Sequence, residues 1–194
     1  MNWNIVTKRA GVVFLALAGM AFSPLHASDL SYSYVEGYYI PTIQGSEDGF
    51  KFGGSYQFMS NLYVGGGFRL YRANNVDVDT IAAFAGYIHP LSDNWNANLQ
   101  FSIYKIDVDY DHGKDDDDVG FALTGGVRGM VTSQLEVYSE LEWSFDDAGN
   151  SKDEDSDDSE ITIGARYYLM PNLSAGVEAS LYAESLGFGA RFAF

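Results

Sequence analysis

Acidic side chains in two parts of the chain are the residues whose type and spacing could most readily do chemistry. Carboxylate oxygens are preferred ligands of Ca²⁺ and Mg²⁺, so we consider both clusters as candidate weak divalent-cation sites. The candidate ligands are Asp107, Asp109, Asp111, Asp116 and Asp118 in the first cluster, and Asp153, Asp155 and Asp157 in the second.

The first cluster imitates a calcium-binding loop but departs from the motif. Asp107-x-Asp109-x-Asp111 has the alternating spacing of such a loop, yet Gly113 falls one position late and Asp118 stands where the motif has Glu. The motif therefore fails. Two interpretations stay open: a run of like charges that forms solvated, self-repelling loops, or loops tied to anionic lipopolysaccharide through bridging cations.

The histidines give little support for catalysis. After the N-terminal segment the chain has His89, beside a predicted turn, and His112, in a predicted loop without a nearby serine. A single loop histidine without a paired nucleophile is usually solvated, so we predict no catalytic residue and no enzyme activity.

Composition excludes further classes of site. The chain has no cysteine, which removes disulfides and thiolate metal sites. Its net charge of −16 argues against nucleic acid as a partner. We predict no cofactor, apart from the Ca²⁺ or Mg²⁺ considered at the acidic clusters.

The acidic clusters connect segments in which apolar and polar residues alternate. A period of two is typical of a strand with one apolar face, and the segments are close to the ~9–11 residues of a tilted membrane strand. The facing of the first and fourth segments is left open, and the count becomes eight if either is not a strand. The ten segments are 31–40, 50–59, 62–72, 80–89, 95–108, 119–131, 135–145, 160–169, 173–183 and 186–194.

Charged side chains lie on the faces opposite the apolar ones. A charge that faces the lipid midplane costs about 2–4 kcal/mol, so we predict that these residues face a polar lumen. Their near balance of sign predicts ion pairs, because an unpaired buried charge is costly. The alternative is a soluble barrel or sandwich with the same charges in water. The predicted interior network is Lys51, Arg69, Arg128, Glu136, Glu140, Glu142, Arg166, Glu178 and Arg191, with Glu36 if the first strand turns its Tyr32/Tyr34 face inward.

The predicted connections also favour a membrane barrel. Short turns alternate with longer or more charged loops, except at the last turn, and this alternation is typical of outer-membrane barrels. Trp95 beside a short turn, and Trp143 with Phe145 beside a long loop, would mark the two membrane interfaces. The sequence therefore predicts an all-β, transmembrane, antiparallel up-and-down β-barrel.

The first 27 residues have the pattern of a signal peptide. Lys8 and Arg9 precede an apolar run over 11–22, and residues 23–27 supply a helix break and a small residue before a cleavage site. The apolar run is shorter than the ~20 residues of a spanning helix, which disfavours the alternative of an uncleaved anchor. We predict a signal peptide over 1–27 and a barrel domain over 28–194, exported to the cell outer membrane.

The chain closes on an alternating strand that ends in phenylalanine. Phe188, Phe192 and Phe194 share one face of this strand. The ending resembles the final strand of bacterial outer-membrane barrels, in which a terminal Phe is the assembly signal. The whole segment after residue 27 is similar to small barrels of the OmpA/OmpX type. This resemblance implies membrane lipid, lipopolysaccharide and the barrel assembly machinery as partners, and we expect a monomer.

The opening of the barrel carries a second resemblance. Residues 30–38 are similar to the first strand of a proteobacterial barrel subfamily whose members have been labelled quorum or diffusible-signal factors. This similarity implies only the name of that subfamily and no molecular mechanism. We predict a structural or surface-interaction role with acidic external loops; the alternatives are a narrow channel for ions or small solutes, and a lipid-modifying enzyme that uses His112.

Overall fold

The computed structural model of the chain describes residues 30–41, 48–73, 76–110, 116–146, 158–181 and 185–194. The segment predicted as a signal peptide lies outside the described residues, as do Asp111, Asp153, Asp155 and Asp157. The strands are β1 Tyr34–Ile40, β2 Asp48–Met59, β3 Leu62–Ala73, β4 Val76–Ser92, β5 Trp95–Tyr110, β6 Asp116–Met130, β7 Leu135–Asp146, β8 Asp158–Met170, β9 Leu173–Ser180 and β10 Ser185–Ala193.

These ten strands form one closed antiparallel barrel in which every strand pairs with its neighbours in the sequence, and β1 pairs with β10. Glu36 lies opposite Arg191 at this closing seam. The prediction of a ten-stranded up-and-down barrel is confirmed, and the eight-stranded alternative is wrong. No helix in the described part of the chain is long and apolar enough to span a bilayer.

The two ends of the barrel differ in their connections. The turns at 60–61, 93–94, 131–134 and 171–172 lie at the same end as both termini of the barrel, and we call this end the base. There, Phe194 N donates a hydrogen bond to Ser33 O at 3.0 Å. The connections at 41–47, 74–75, 111–115, 147–157 and 181–184 lie at the opposite end, which we call the loop end.

The alternating pattern of each strand separates an apolar outer face from a polar lumen. Large apolar side chains such as Phe52, Phe68 and Phe101 are exposed on the outer face, where Phe52 stacks on Phe68 with 5.1 Å between ring centroids. Charged side chains of the opposite parity line the interior. Apolar surface turned outward and charge turned inward is the arrangement that a lipid environment requires.

The structure also gives the facing of the two strands that the sequence left open. Tyr38 and Ile40 of β1 are buried, whereas Val35 and Tyr39 are exposed. On β4, Ile88 is buried and lies in the lumen against Tyr32 and Tyr63, with Phe84 packed on them. Glu36 therefore belongs to the lumen, since it has the parity of Tyr38.

The start of the first strand differs from the prediction. Residues 31–33 do not continue β1, which begins at Tyr34. Hydrogen bonds that involve serine side chains replace a strand ladder between this segment and β2: Ser55 Oγ donates to Tyr32 O at 2.7 Å, and Gln57 N donates to Ser33 Oγ at 3.1 Å. The segment leaves the ladder so that Tyr32 can turn into the base of the lumen.

The fourth strand is longer than predicted. β4 begins at Val76, so the connection from β3 is residues 74–75 and not the longer loop that the alternation of connections predicted. Arg72 and Asp77 pair across these strands, with Nη1 and Oδ2 3.0 Å apart. Backbone pairing between β3 and β4 therefore extends beyond the apolar outer face to Ala73 and Val76. The paired side chains of Arg72 and Asp77 remain exposed to water there.

Candidate functional site in the barrel lumen

Five charged side chains meet in the half of the lumen nearest the base. Glu136 is at their centre and has no solvent exposure. Its carboxylate accepts hydrogen bonds from Arg128 Nη2 at 3.0 Å and Arg166 Nη1 at 2.9 Å, and Tyr168 OH donates to it at 2.7 Å. We call the five residues the base cluster: Glu36 on β1, Arg128 on β6, Glu136 on β7, Arg166 on β8 and Arg191 on β10.

The second carboxylate of the base cluster lies on the closing seam. Glu36 Oε2 accepts from Arg191 Nε at 3.0 Å and Nη2 at 2.8 Å, and Arg166 Nη2 lies 3.5 Å away. Two carboxylates therefore share three guanidiniums. The base cluster joins five strands and carries one excess positive charge.

Each guanidinium of the base cluster also lies over a tyrosine ring. The distances from the guanidinium carbon to the ring centroid are 3.6 Å for Arg191 over Tyr34 and 3.9 Å for Arg166 over Tyr138. Cation–π contacts of this kind add to the ion pairs when the groups are withdrawn from water. The rings also stabilise the excess positive charge of the base cluster by attracting the guanidiniums.

Tyr32 packs into the lumen beneath the base cluster. Its ring is 4 % exposed and packs on Tyr63 with 5.0 Å between centroids. Arg128 lies over the Tyr32 ring at 4.6 Å and donates through Nη1 to Ser31 O at 3.0 Å. The N-terminal segment thus fills the base of the barrel with an aromatic side chain held by a charge.

A second ion pair lies above the base cluster. Lys51 Nζ is 2.9 Å from Glu178 Oε1, and Tyr138 OH donates to Glu178 Oε2 at 2.9 Å. Glu178 is nearly buried. Lys51 and Glu178 neutralise one another, so this layer adds no net charge to the lumen.

Between these pairs and the loop end, the lumen widens into a cavity of about 370 Å³. We call it the vestibule, and its charged walls beyond the pairs already described are Arg69, Glu140, Glu142 and Glu160. Glu142 and Glu160 are cross-strand partners on β7 and β8, and Thr124 Oγ1 donates to Glu142 at 3.2 Å. Arg69, Glu140 and Glu160 form no hydrogen bond or ion pair with any residue that the structure describes.

At the rim, Lys105 on β5 lies close to Asp107 and Asp117. Asp107 lies opposite Asp79 on one side and Asp117 on the other. Lys105 donates a hydrogen bond to Asp107, and its Nζ is 3.4 Å from Asp117. This cation neutralises part of the rim.

The structure describes the side chains of only some predicted metal ligands: Asp107, Asp109 and Asp118, but not Asp116. In the described ranges, no group of three or more His, Cys, Asp or Glu side chains could hold a metal ion. Divalent binding by the acidic loops stays a prediction. His89 is exposed on the outer face near the base, and His112 lies outside the described residues.

Sequence reasoning missed two contributors to the lumen. The predicted interior network omits Glu160, the first residue of the eighth predicted strand, although it has the same parity as Arg166 on β8, and this parity was the available signal. The sequence pattern places Tyr32 on the first strand and leaves open whether the Tyr32/Tyr34 face turns inward, and no local pattern in residues 30–33 indicates that Tyr32 lies outside the strand at the base of the lumen. The structure places Phe188 and Phe192 on the lipid face, exposed by 47 % and 44 %.

Comparison with known proteins places the fold among outer-membrane barrels. No protein-family model matches the chain, and no curated protein sequence does. A solved structure described as KdgM porin is 12% identical over 83% of this chain and 99% of its own, with a TM-score of 0.51. An outer-membrane channel of the COG4313 group from Pseudomonas putida F1 is 13% identical over 90% of this chain and 100% of its own, also with a TM-score of 0.51. The chain is thus a β-barrel of the outer-membrane type, and identities this low show the fold alone.

Proposed function

We propose that the chain acts at the cell surface as a sealed outer-membrane barrel, which interacts with its surroundings through the vestibule and the acidic loops. In this proposal residues 1–27 direct export, the base faces the periplasm and the loop end faces outward. The arrangement of short turns at the base supports this orientation.

The observation that carries the proposal is the closure of the lumen at the base. Tyr32 and the base cluster occupy the base of the lumen with buried side chains that bind one another, and the cavity between them is only about 30 Å³. Barrels of about eight strands have interiors that side chains fill or that hold one small ligand, and open porins are larger. Solutes would have to displace Tyr32 and break several charge-assisted hydrogen bonds to pass.

Conductance in planar bilayers tests the closure. The purified, refolded chain should show no steady conductance steps in moderate salt, whereas steady steps from the unmodified chain would refute the sealed barrel. Heat-modifiable gel mobility and membrane fractionation of the same preparation would establish that the barrel is folded and lies in the outer membrane. A soluble periplasmic product without a mobility shift would overturn the location.

A narrow channel is the second candidate, favoured by the vestibule, which already opens the upper lumen. The channel hypothesis predicts that removal of the Tyr32 ring alone allows ions to pass through the barrel. Tyr32→Ala should then give conductance steps while Tyr32→Phe gives none, because only the first variant removes the ring. Steps from Tyr32→Phe or from the unmodified chain would make the lumen a channel without any gate at its base.

A further inference from the structure

The vestibule has two charged walls of opposite sign. Lys51 on β2 and Arg69 on β3 lie directly opposite one another in the strand register, and so do Glu142 on β7 and Glu160 on β8. In the closed strand order, three strands separate the β2–β3 pair from the β7–β8 pair on either side. The cationic and acidic walls therefore face each other across the lumen.

The charges on these walls are not all used by the protein. Lys51 is paired with Glu178, which leaves Arg69 as the available cation of one wall. Glu142 and Glu160, with Glu140 below them on β7, are the carboxylates of the other. Within the residues that the structure describes, none of these four side chains has an ion-pair partner. Arg69 is attracted across the lumen by Glu142 and Glu160 without reaching either.

The cationic wall leaves room for a bound molecule. Gly53 lies two residues after Lys51 and faces the lumen, and the nearest heavy atoms to a Cβ added there would be Gly66 O at 3.6 Å and Glu36 Cγ and Oε1 at 4.0 Å, which are ordinary contact distances. The cavity of about 370 Å³ lies within the ~300–1,000 Å³ range of small-molecule pockets. Charged side chains that line a cavity and have no ion-pair partner in the protein bind water or a ligand of complementary charge.

We propose that the vestibule is a binding site for a compact solute with two cationic groups and one carboxylate, the chemistry of a basic α-amino acid. The solute's carboxylate binds Arg69, and its cationic groups bind the acidic wall of Glu140, Glu142 and Glu160. With three carboxylates and one guanidinium, the vestibule has an excess of negative charge that attracts a solute with an excess of positive charge. The base cluster, with three guanidiniums for two carboxylates, repels the cationic groups and keeps the solute in the vestibule.

The proposal rests on the proposed function only in that the solute enters from the loop end. The test is isothermal titration calorimetry of the full barrel in detergent micelles, with L-lysine, cadaverine, L-leucine and L-glutamate as probes. L-Lysine should bind most tightly. Cadaverine has the two amines without the carboxylate, so its weaker binding reports on Arg69. Absence of heat with millimolar L-lysine, or equal binding of L-leucine, would overturn the proposal.

Two variants separate the walls. Glu142→Gln combined with Glu160→Gln should weaken L-lysine binding by about tenfold or more, because it removes charge-assisted hydrogen bonds. Arg69→Gln should reduce the preference for L-lysine over cadaverine to about one. Arg72→Gln and Asp117→Asn remove the same charges at the solvated rim and should leave both affinities unchanged. If the rim variants act like the vestibule variants, the binding is a general effect of charge and the site does not exist.

A third variant fills the cavity without changing its charge. Gly53→Leu should abolish L-lysine binding while heat-modifiable mobility stays normal, and unchanged affinity would place the bound solute outside the vestibule. The conductance measurement is independent of these results. A barrel that conducts and binds L-lysine would refute the sealed lumen and retain this site, whereas a barrel that does neither would retain the sealed lumen and refute the site.

Discussion

The two halves of the lumen contain the same residue types and use them in opposite ways. Near the base, every carboxylate and guanidinium of the base cluster has a charged partner, and Glu136 alone binds two arginines and a tyrosine. In the vestibule, Glu142 and Glu160 face each other across a strand pair although both are negative. Near the base, ion pairs between charged side chains hold the strands together. In the vestibule, charged side chains without ion-pair partners can bind a molecule in the cavity.

This difference has an energetic consequence. Removal of one partner from a buried ion pair leaves the other charged and desolvated, which costs several kcal/mol. Removal of one of two facing carboxylates relieves a repulsion. Equivalent Glu→Gln changes in the two halves should therefore have effects of opposite sign on stability.

The largest expected effect is that of Glu136→Gln. The variant leaves Arg128 and Arg166 without their central carboxylate, and the free energy of unfolding should fall by about 3–5 kcal/mol. Urea unfolding in lipid vesicles, followed by tryptophan fluorescence, measures it. A loss below that of a rim control such as Asp117→Asn would show that the base cluster does not hold the barrel together.

Arg191→Leu should have the next largest effect. Glu36 would keep only Arg166, whose Nη2 is 3.5 Å away, and the barrel should lose roughly 2–3 kcal/mol of unfolding free energy. Phe194→Ala removes the outward aromatic side chain, keeps the backbone hydrogen bond from residue 194 N to Ser33 O, and should mainly reduce the yield of assembled barrel in cells. If both changes reduce stability and yield in the same proportion, the two faces of β10 do not have separate roles.

Tyr32→Ala tests the closure of the base. It removes the contact with Arg128, worth about 0.5–2 kcal/mol, and the packing on Tyr63, worth about 0.5–1.5 kcal/mol. Tyr32→Phe is the matched control, because the Tyr32 hydroxyl is buried without a partner among the described residues, so its loss should be neutral or slightly stabilising. Equal destabilisation by the two variants in urea would contradict this account of the ring.

Glu160→Gln should have the smallest effect, with the opposite sign. It removes a like-charged cross-strand neighbour of Glu142, so the free energy of unfolding should rise by up to about 1 kcal/mol. The same unfolding assay measures it beside Glu136→Gln. A loss comparable to that of Glu136→Gln would mean that the vestibule carboxylates also hold the strands together.

The barrel was predictable because its pattern is local and repeated. Segments such as 95–103 alternate strictly between apolar and polar residues. A charged side chain such as Arg191, on the face opposite the apolar residues, faces the lumen because a charge that faces lipid is costly. Parity shows which side chains share the lumen, but not which of them meet. Arg166 touches Glu36 across 130 residues, and this contact depends on strand tilt and barrel closure. The position of Tyr32 depends on Tyr63 and Arg128, which are distant in the sequence.

The closing seam bears on the timing of assembly. Glu36 and Arg191 are separated by 155 residues, so their pair cannot form until the final strand has joined the first. Until then the arginines of β6 and β8 lack part of their electrostatic environment, and an incomplete barrel holds poorly compensated charge next to lipid. Closure of the ring and completion of the ion pairs of the base cluster therefore occur together. The seam thereby makes a barrel that lacks its final strand less stable than the closed one.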